Sequence, residues 1–297
     1  MSQSLITLKQ QIEAELAVNL PCASEIAQPV VDAMRHAVLG GGKRLRPMLV
    51  CATARAFNTP VKRGFAPASA VEFIHAYSLI HDDLPAMDDD DLRHGLPSTH
   101  IAFGEANAIL AGDSLHSLAF QTIADAEEIS QSTRLRMIQL LSQAAGWAGM
   151  AGGQCLDMEA EGRSLSLAQL RELHAAKTGA LIRVSVQLGA LTAAPEKPDT
   201  SFDEKFDRLT RFGNQIGLAF QVMDDVLDVT QPTAKLGKPA GSDEAALKNT
   251  FPKLMGLSEA TALAHDLVNE SLLLLQQTDL DTTLLECLAR LVVERDH

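Results

Sequence analysis

An apolar helical run that closes on carboxylates constrains this chain more than any other feature, because the run has to be buried and its end resists burial. Val71 to Ile80 is such a run, and Asp82 and Asp83 close it. Pro85 follows within a turn, and then come Asp88, Asp89, Asp90 and Asp91. Proline inside a helical pattern ends or bends the helix just before it. The spacing therefore predicts Asp82 and Asp83 at a helix end, with Asp88 in the bend beyond. Carboxylates crowded there repel one another unless a hard cation neutralises them. An isolated run of acids is more often a solvated face, and a Ca²⁺ loop is another alternative. Counting from Asp88, however, Leu92 and Arg93 stand where an EF-hand wants an oxygen ligand and a glycine. The stretch reads first as a Mg²⁺ site.

A second acidic motif, Phe220-Gln-Val-Met-Asp-Asp-Val-Leu-Asp228, moves the reading away from a solvated face. Asp224 and Asp228 are four apart and share a helix face, with Asp225 one residue round. Val222, Met223, Val226, Leu227 and Val229 make this helix apolar over most of its surface. Charges on such a helix are expected to be paired or metal-bound. Two such helices facing each other across a cavity could hold several Mg²⁺ ions, whose remaining positions suit phosphate oxygens.

Hydrophobic residues make up 46% of the chain but aromatics only 4%, and alternating strand patterns are rare, so the fold class expected is all-α. The net charge of −13 disfavours nucleic acid or an anionic membrane as partner. It also requires that any polyanionic substrate be met by metal ions and a few placed bases. Four cysteines stand far apart without a C-x-x-C pair, which suits reduced thiols in a cytoplasmic protein. Nothing resembles a signal peptide or an apolar membrane span.

Helices are expected from about Ser4 to Leu20, Ala23 to Val38, Pro67 to Asp83, Phe103 to Ala126, Ser132 to Ala160, Leu167 to Ala194, Phe202 to Val229, Ser258 to Gln277 and Leu280 to Glu294. Gly40 to Pro47 opens a further helix. Its glycines and free N–H groups could receive an anion, with Lys43, Arg44 and Arg46 adding charge, or it could be a plain linker. Lys177 lies in a small-residue apolar stretch, and Asp157 reads as structural. Gln231 to Ser242 reads as a connection that can act as a lid. No repeat or boundary divides the chain, so one domain over 1–297 is expected.

Gly-Gly-Lys-Arg-Leu-Arg-Pro at 41–47, His-Asp-Asp-Leu-Pro-Ala-Met-Asp at 81–88, Lys177-Thr178 and Gln221-x-x-Asp-Asp stand in the order of the signatures of the trans-isoprenyl diphosphate synthases. The chain resembles that family over nearly its whole length, most closely its bacterial members that form the fifteen-carbon farnesyl diphosphate. The resemblance implies helices around a deep central cavity, a homodimer, and Mg²⁺-dependent head-to-tail condensation of allylic diphosphates with the homoallylic isopentenyl diphosphate. Asp82, Asp83, Asp88, Asp224, Asp225 and Asp228 would be the metal ligands. Arg93 and Lys238 match positions for the allylic diphosphate, and Lys43, Arg46 and His75 match positions for isopentenyl diphosphate. The Lys177 carbonyl, Thr178 and Gln221 would face the carbocation. Tyr77, with Ser78 beside it, matches the floor that stops chain growth, though Tyr77 could be an ordinary core aromatic. One departure is Arg93-His94, where the family usually has two arginines. Histidine lacks the arginine fork and most of its charge at neutral pH. A twenty-carbon synthase and a non-catalytic partner subunit remain the rival readings.

Overall fold

The computed structural model describes residues 3–197, 199–230 and 249–294. The helices among them are α1 (Gln3–Asn19), α2 (Gln28–Leu39), α3 (Leu45–Ala56), α4 (Phe65–Asp82), α5 (Thr99–Phe103), α6 (Glu105–Ala124), α7 (Gln131–Ala145), α8 (Met150–Ala160), α9 (Leu167–His174), α10 (Ala180–Leu191), α11 (Thr200–Thr230), α12 (Phe251–Met255), α13 (Leu257–Gln276) and α14 (Thr283–Glu294). A 3₁₀ turn, Val61–Gly64, leads into α4, and a π turn, Ala175–Gly179, joins α9 to α10. Among the described residues, strand is limited to β1 (Leu92–Arg93) paired antiparallel with β2 (Leu96–Pro97). The all-α expectation holds.

Burial explains the layering. In α10 ten of the twelve residues are buried, from Ala180 to Leu191 with only Arg183 and Gln187 excepted. A helix apolar on every side belongs at the centre, and α10 packs against α3, α4, α7 and α11. The first turns of α4 are buried almost all round, from Pro67 to Ile74. The 31-residue α11 buries Leu209, Phe212, Ile216, Ala219, Val222 and Val226 at helical spacing, lying along α10 and α13. Its acids therefore sit on the wall of the core. The amphipathic α13 and α14 cover the other side of α11.

Three expected runs are divided. The Ser132–Ala160 run breaks at Gly146–Gly149, where Gly149 adopts φ −133°, ψ −127° and an added Cβ would lie 2.3 Å from the Ala144 carbonyl oxygen. The Leu167–Ala194 run contains the π turn, and Gly104, at φ +81°, separates α5 from α6. The second helix starts at Gln28 rather than Ala23, with Pro29 in its first turn. The segment expected to act as a lid lies outside the described residues.

Candidate active site

Asp82 ends α4 as the spacing predicts. The Asp83 N–H closes on the Leu79 carbonyl at 3.0 Å, and the chain then turns about Pro85. The turn brings the Asp88 N–H back to the Asp82 carbonyl at 2.8 Å, so Asp88 folds onto the helix end. Crowding has the expected cost. Burial pushes the Asp82 carboxyl up to about 6, with Asp88 and Asp83 adding to the shift while Lys177 and Arg93 oppose it. Asp83 is only 2% exposed, and its carboxylate accepts from Arg93 Nε at 3.0 Å and also from Nη2. Arg93 Nη2 reaches Asp90 as well, at 3.1 Å. Burial still holds the Asp83 carboxyl above its usual range.

The β1–β2 hairpin places Arg93 and His94. Its two turn residues, His94 and Gly95, have φ of +54° and +80°, the signs that a tight two-residue hairpin requires. The short strands carry no alternation, so only this His-Gly pair could have announced the hairpin. His94 leans on the glycine loop, where a Cβ on Gly42 would lie 3.5 Å from its Nε2. Burial, then the charges of Arg93, Arg44, Lys43 and Lys9, lower the His94 pKa below its ordinary value. Lys43 is exposed beside this corner. Arg44 turns the other way, a correction to the reading that it adds charge to an anion site. Held at φ +56°, it donates to Glu72 Oε1 at 2.7 Å and to the Val38 carbonyl at 2.6 Å, inside the core. Glu72, 4% exposed, is a residue the sequence reading missed. An acid at one position of an apolar helix was the available signal, since such a charge needs a buried partner. Arg46, on the first turn of α3, lies 3.2 Å from His75 Nε2 on α4. Burial and then the neighbouring charges of Arg46, His94, Arg93 and Arg44 push the His75 pKa well below 6.5, which leaves it neutral at pH 7.

Opposite α4 stands the π turn. Lys177 Nζ pairs with Asp157 Oδ2 at 2.5 Å, which gives Asp157 its structural role and aims the lysine along the wall. Gly153 makes this possible, because any Cβ there would lie 2.2 Å from the Lys177 backbone nitrogen. Thr178 Oγ1 donates to Gln221 Oε1 at 2.9 Å, linking the π turn to α11. Asp225 and Asp228 are each 3% exposed, and Asp224 is half-buried and close enough to raise the pKa of Arg46 against the effect of burial. Asp225 accepts from Gln221 Nε2 at 3.1 Å and from the Phe251 N–H at 2.9 Å.

Between these walls lies a cavity of about 310 Å³ lined by Asp82, Tyr77, Ser78, Arg46, His75, Lys177 and Thr178, among others. Tyr77, one turn before the acids, packs edge-on against His81 and His116, with ring centroids 5.5 and 5.1 Å away. Ser78 donates to the His75 carbonyl at 2.9 Å. Lys238 lies outside the described residues. Among the described residues no three acids or histidines converge into an all-protein metal cage. The donor set still fits Mg²⁺, which commonly takes one or two carboxylates and fills its octahedron with water and phosphate oxygens. Burial, with the like charges of Asp88 and Asp83 added, raises the Asp82 pKa, and a bound cation would reverse that cost.

A model of the polyprenyl synthetases matches residues 27–288. The chain belongs to the polyprenyl synthetase family. It is 51% identical over 273 residues, 90% of each chain, to the farnesyl diphosphate synthase of Escherichia coli. Among solved structures it is similar to an FPP/GFPP synthase from Zymomonas mobilis, with a TM-score of 0.85, 36% identity, and 99% of this chain and 100% of that one covered. A geranyltransferase from Helicobacter pylori, solved with magnesium and an isoprenyl diphosphate, gives a TM-score of 0.85 at 33% identity, covering 99% of this chain and 97% of that one. In this polyprenyl synthetase the first acidic motif reaches the cavity through Asp82, the second is tied to its wall through the Gln221–Thr178 hydrogen bond, and Arg44 and Asp225 face protein groups.

Proposed function

We propose that this polyprenyl synthetase condenses dimethylallyl and then geranyl diphosphate with isopentenyl diphosphate, head to tail, to form farnesyl diphosphate. The observation that carries the reading is one cavity lined by Asp82, by the bases Arg46, His75 and Lys177, and by Tyr77 with the apolar side chains of Leu79, Met87, Met150 and Leu181. The relatives named above support the substrate class. Asp82, Asp83, Asp88, Asp224 and Asp228 would hold Mg²⁺. When bound, Mg²⁺ would act as a Lewis acid that neutralises the diphosphate leaving group. Arg93 would add charge for the allylic diphosphate, and so would Lys238. Lys43, Arg46 and His75 would bind isopentenyl diphosphate, with His75 donating as a neutral imidazole. The Lys177 carbonyl, Thr178 and Gln221 would offer fixed oxygen dipoles to the allylic cation, and such preorganised dipoles need no reorientation during reaction. Tyr77 and Ser78 would bound the growing tail.

We read the chain as one domain acting in the cytoplasm as a homodimer. No described helix is long and apolar enough to cross a membrane. Ile109, Leu110 and Leu135 are exposed on α6 and α7, which supports a second copy as their cover. The test is to supply purified protein with geranyl and isopentenyl diphosphates and Mg²⁺ and to measure product length. Fifteen-carbon product that disappears with a chelator is expected. No product, or mainly twenty-carbon product, would refute the reading, and a monomer in gel filtration would refute the dimer.

A further inference from the structure

Asp225 belongs by sequence to the second acidic motif, yet each of its oxygens meets a protein N–H. Oδ2 accepts from the Phe251 backbone at 2.9 Å, and Oδ1 accepts from Gln221 Nε2 at 3.1 Å. The Phe251 donor is held in place from several sides. Its ring is fully buried and stacks on His174, with centroids 5.6 Å apart and planes at 28°. Two residues earlier, Asn249 donates to the carbonyls of Ala160 and Arg163 and accepts from the Leu165 N–H.

These contacts settle a direction. An amide has a donor end and an acceptor end, and the hydrogen-bond network decides which way it points. With Asp225 taking its NH₂, Gln221 must present its oxygen to the other side, where the Thr178 hydroxyl donates to it at 2.9 Å. The Thr178 hydrogen is thereby turned toward α11. Thr178 lines the cavity, so what its hydroxyl offers there is a lone pair. We infer that Asp225 is a positioning residue, not a metal ligand: it sets the polarity of the Asp225–Gln221–Thr178 relay so that the wall presents an acceptor to positive charge. The inference rests on the prenyl-transfer reading for the identity of that charge.

Asp225→Asn separates this role from metal binding. The immovable Phe251 N–H compels the new amide to direct its oxygen there, leaving its NH₂ toward Gln221. Gln221 must then flip and donate to Thr178, whose hydrogen is displaced toward the cavity. Expected is a kcat about 100-fold lower with geranyl diphosphate, KM values within about threefold and an unchanged Mg²⁺ requirement. Phe251 amide exchange should stay protected. Adding Gln221→Glu to Asp225→Asn supplies an acceptor to both neighbours and should restore at least about tenfold of the lost kcat. Asp225→Ala should expose the Phe251 amide to exchange. An undiminished kcat in Asp225→Asn, a loss cured by more Mg²⁺, or no rescue by Gln221→Glu would overturn the inference. So would Phe251 protection that survives Asp225→Ala, a result independent of any substrate. A wild-type chain that leaves geranyl diphosphate unconsumed would instead overturn the functional reading.

Discussion

Asp82-Asp83 at the end of α4 and Asp224-Asp225 near the end of α11 are the same dipeptide in two settings. At α4 the bend about Pro85 brings a third acid, Asp88, onto the helix end, and burial with these neighbours raises the Asp82 pKa to about 6. At α11 the helix runs on past the acids, so they leave from its side into the core wall, and Asp225 is satisfied by N–H groups from Gln221 and Phe251. In the first pair Asp83 takes the Arg93 guanidinium while Asp82 bears the cost of burial, and in the second Asp225 is held by neutral N–H groups of the fold itself. A carboxylate pair in a sequence therefore does not fix what each carboxylate is for. Where the helix stops, and what packs beside it, decides.

The comparison can be broken most forcefully by removing the most electrostatically exposed member of each pair. Asp82→Ala and Asp224→Ala should each lower turnover by about 10⁴-fold without unfolding the protein, as measured by steady-state product release. A normal rate in either would remove that motif from the metal site. A smaller but qualitative effect belongs to α4 alone. Tyr77→Ala removes an aromatic ring from the cavity lining one turn from Asp82, and the main product should lengthen to twenty carbons or more by chromatography. Continued arrest at fifteen carbons would place the stop elsewhere.

Stability sharpens the contrast further. Asp82 has a folded pKa of about 6 against 3.8 for its ordinary value, so its ionised form is the one disfavoured by folding. The penalty is absent below about pH 4, grows through the window up to 6 and is complete above it, amounting to about 3 kcal/mol. Asp82→Asn should therefore raise the melting temperature at pH 8 and lose that advantage by pH 4. Equal melting at pH 8 would show that the acid is not strained. The smallest effect is expected at His94. His94→Arg adds a charge-assisted partner for isopentenyl diphosphate, but at φ +54° the backbone suits few side chains. The KM for isopentenyl diphosphate should fall by the equivalent of about 1 kcal/mol, with a smaller change for the allylic substrate. A flat or higher KM would mean that the hairpin has accommodated histidine.

What could be read in advance follows from range. The end of α4, the return of Asp88 and the buried face of α11 are set by residues within a few positions of one another, through proline and helical period. The inward turn of Arg44 depends on Glu72, twenty-eight residues later. The pairing of Asp225 depends on Phe251, twenty-six residues later and on another helix. No local pattern reports such donors. The break at Gly146–Gly149 was hidden because small residues also suit close-packed helices, and the π turn at 175–179 because its residues are ordinary helix formers apart from Thr178 and Gly179.

The π turn has a consequence for how this protein can vary in length. A π turn is wider than an α turn and holds one residue more than the helix needs. Deleting one residue there would heal it into a continuous α-helix, with the helices on either side kept close to their present register. Deleting one residue from a regular helix instead rotates everything beyond by about 100° and shifts it by about 1.5 Å. A deletion of the second kind at the start of α10 would turn Leu181, Val184 and Leu188, all buried against its neighbours, out of register with the core. The irregularity thus absorbs a change of length that the regular helix beside it cannot. A one-residue deletion at 175–179 should leave the packing of α10 in place, whereas the same deletion within α10 should be rejected as a folding failure.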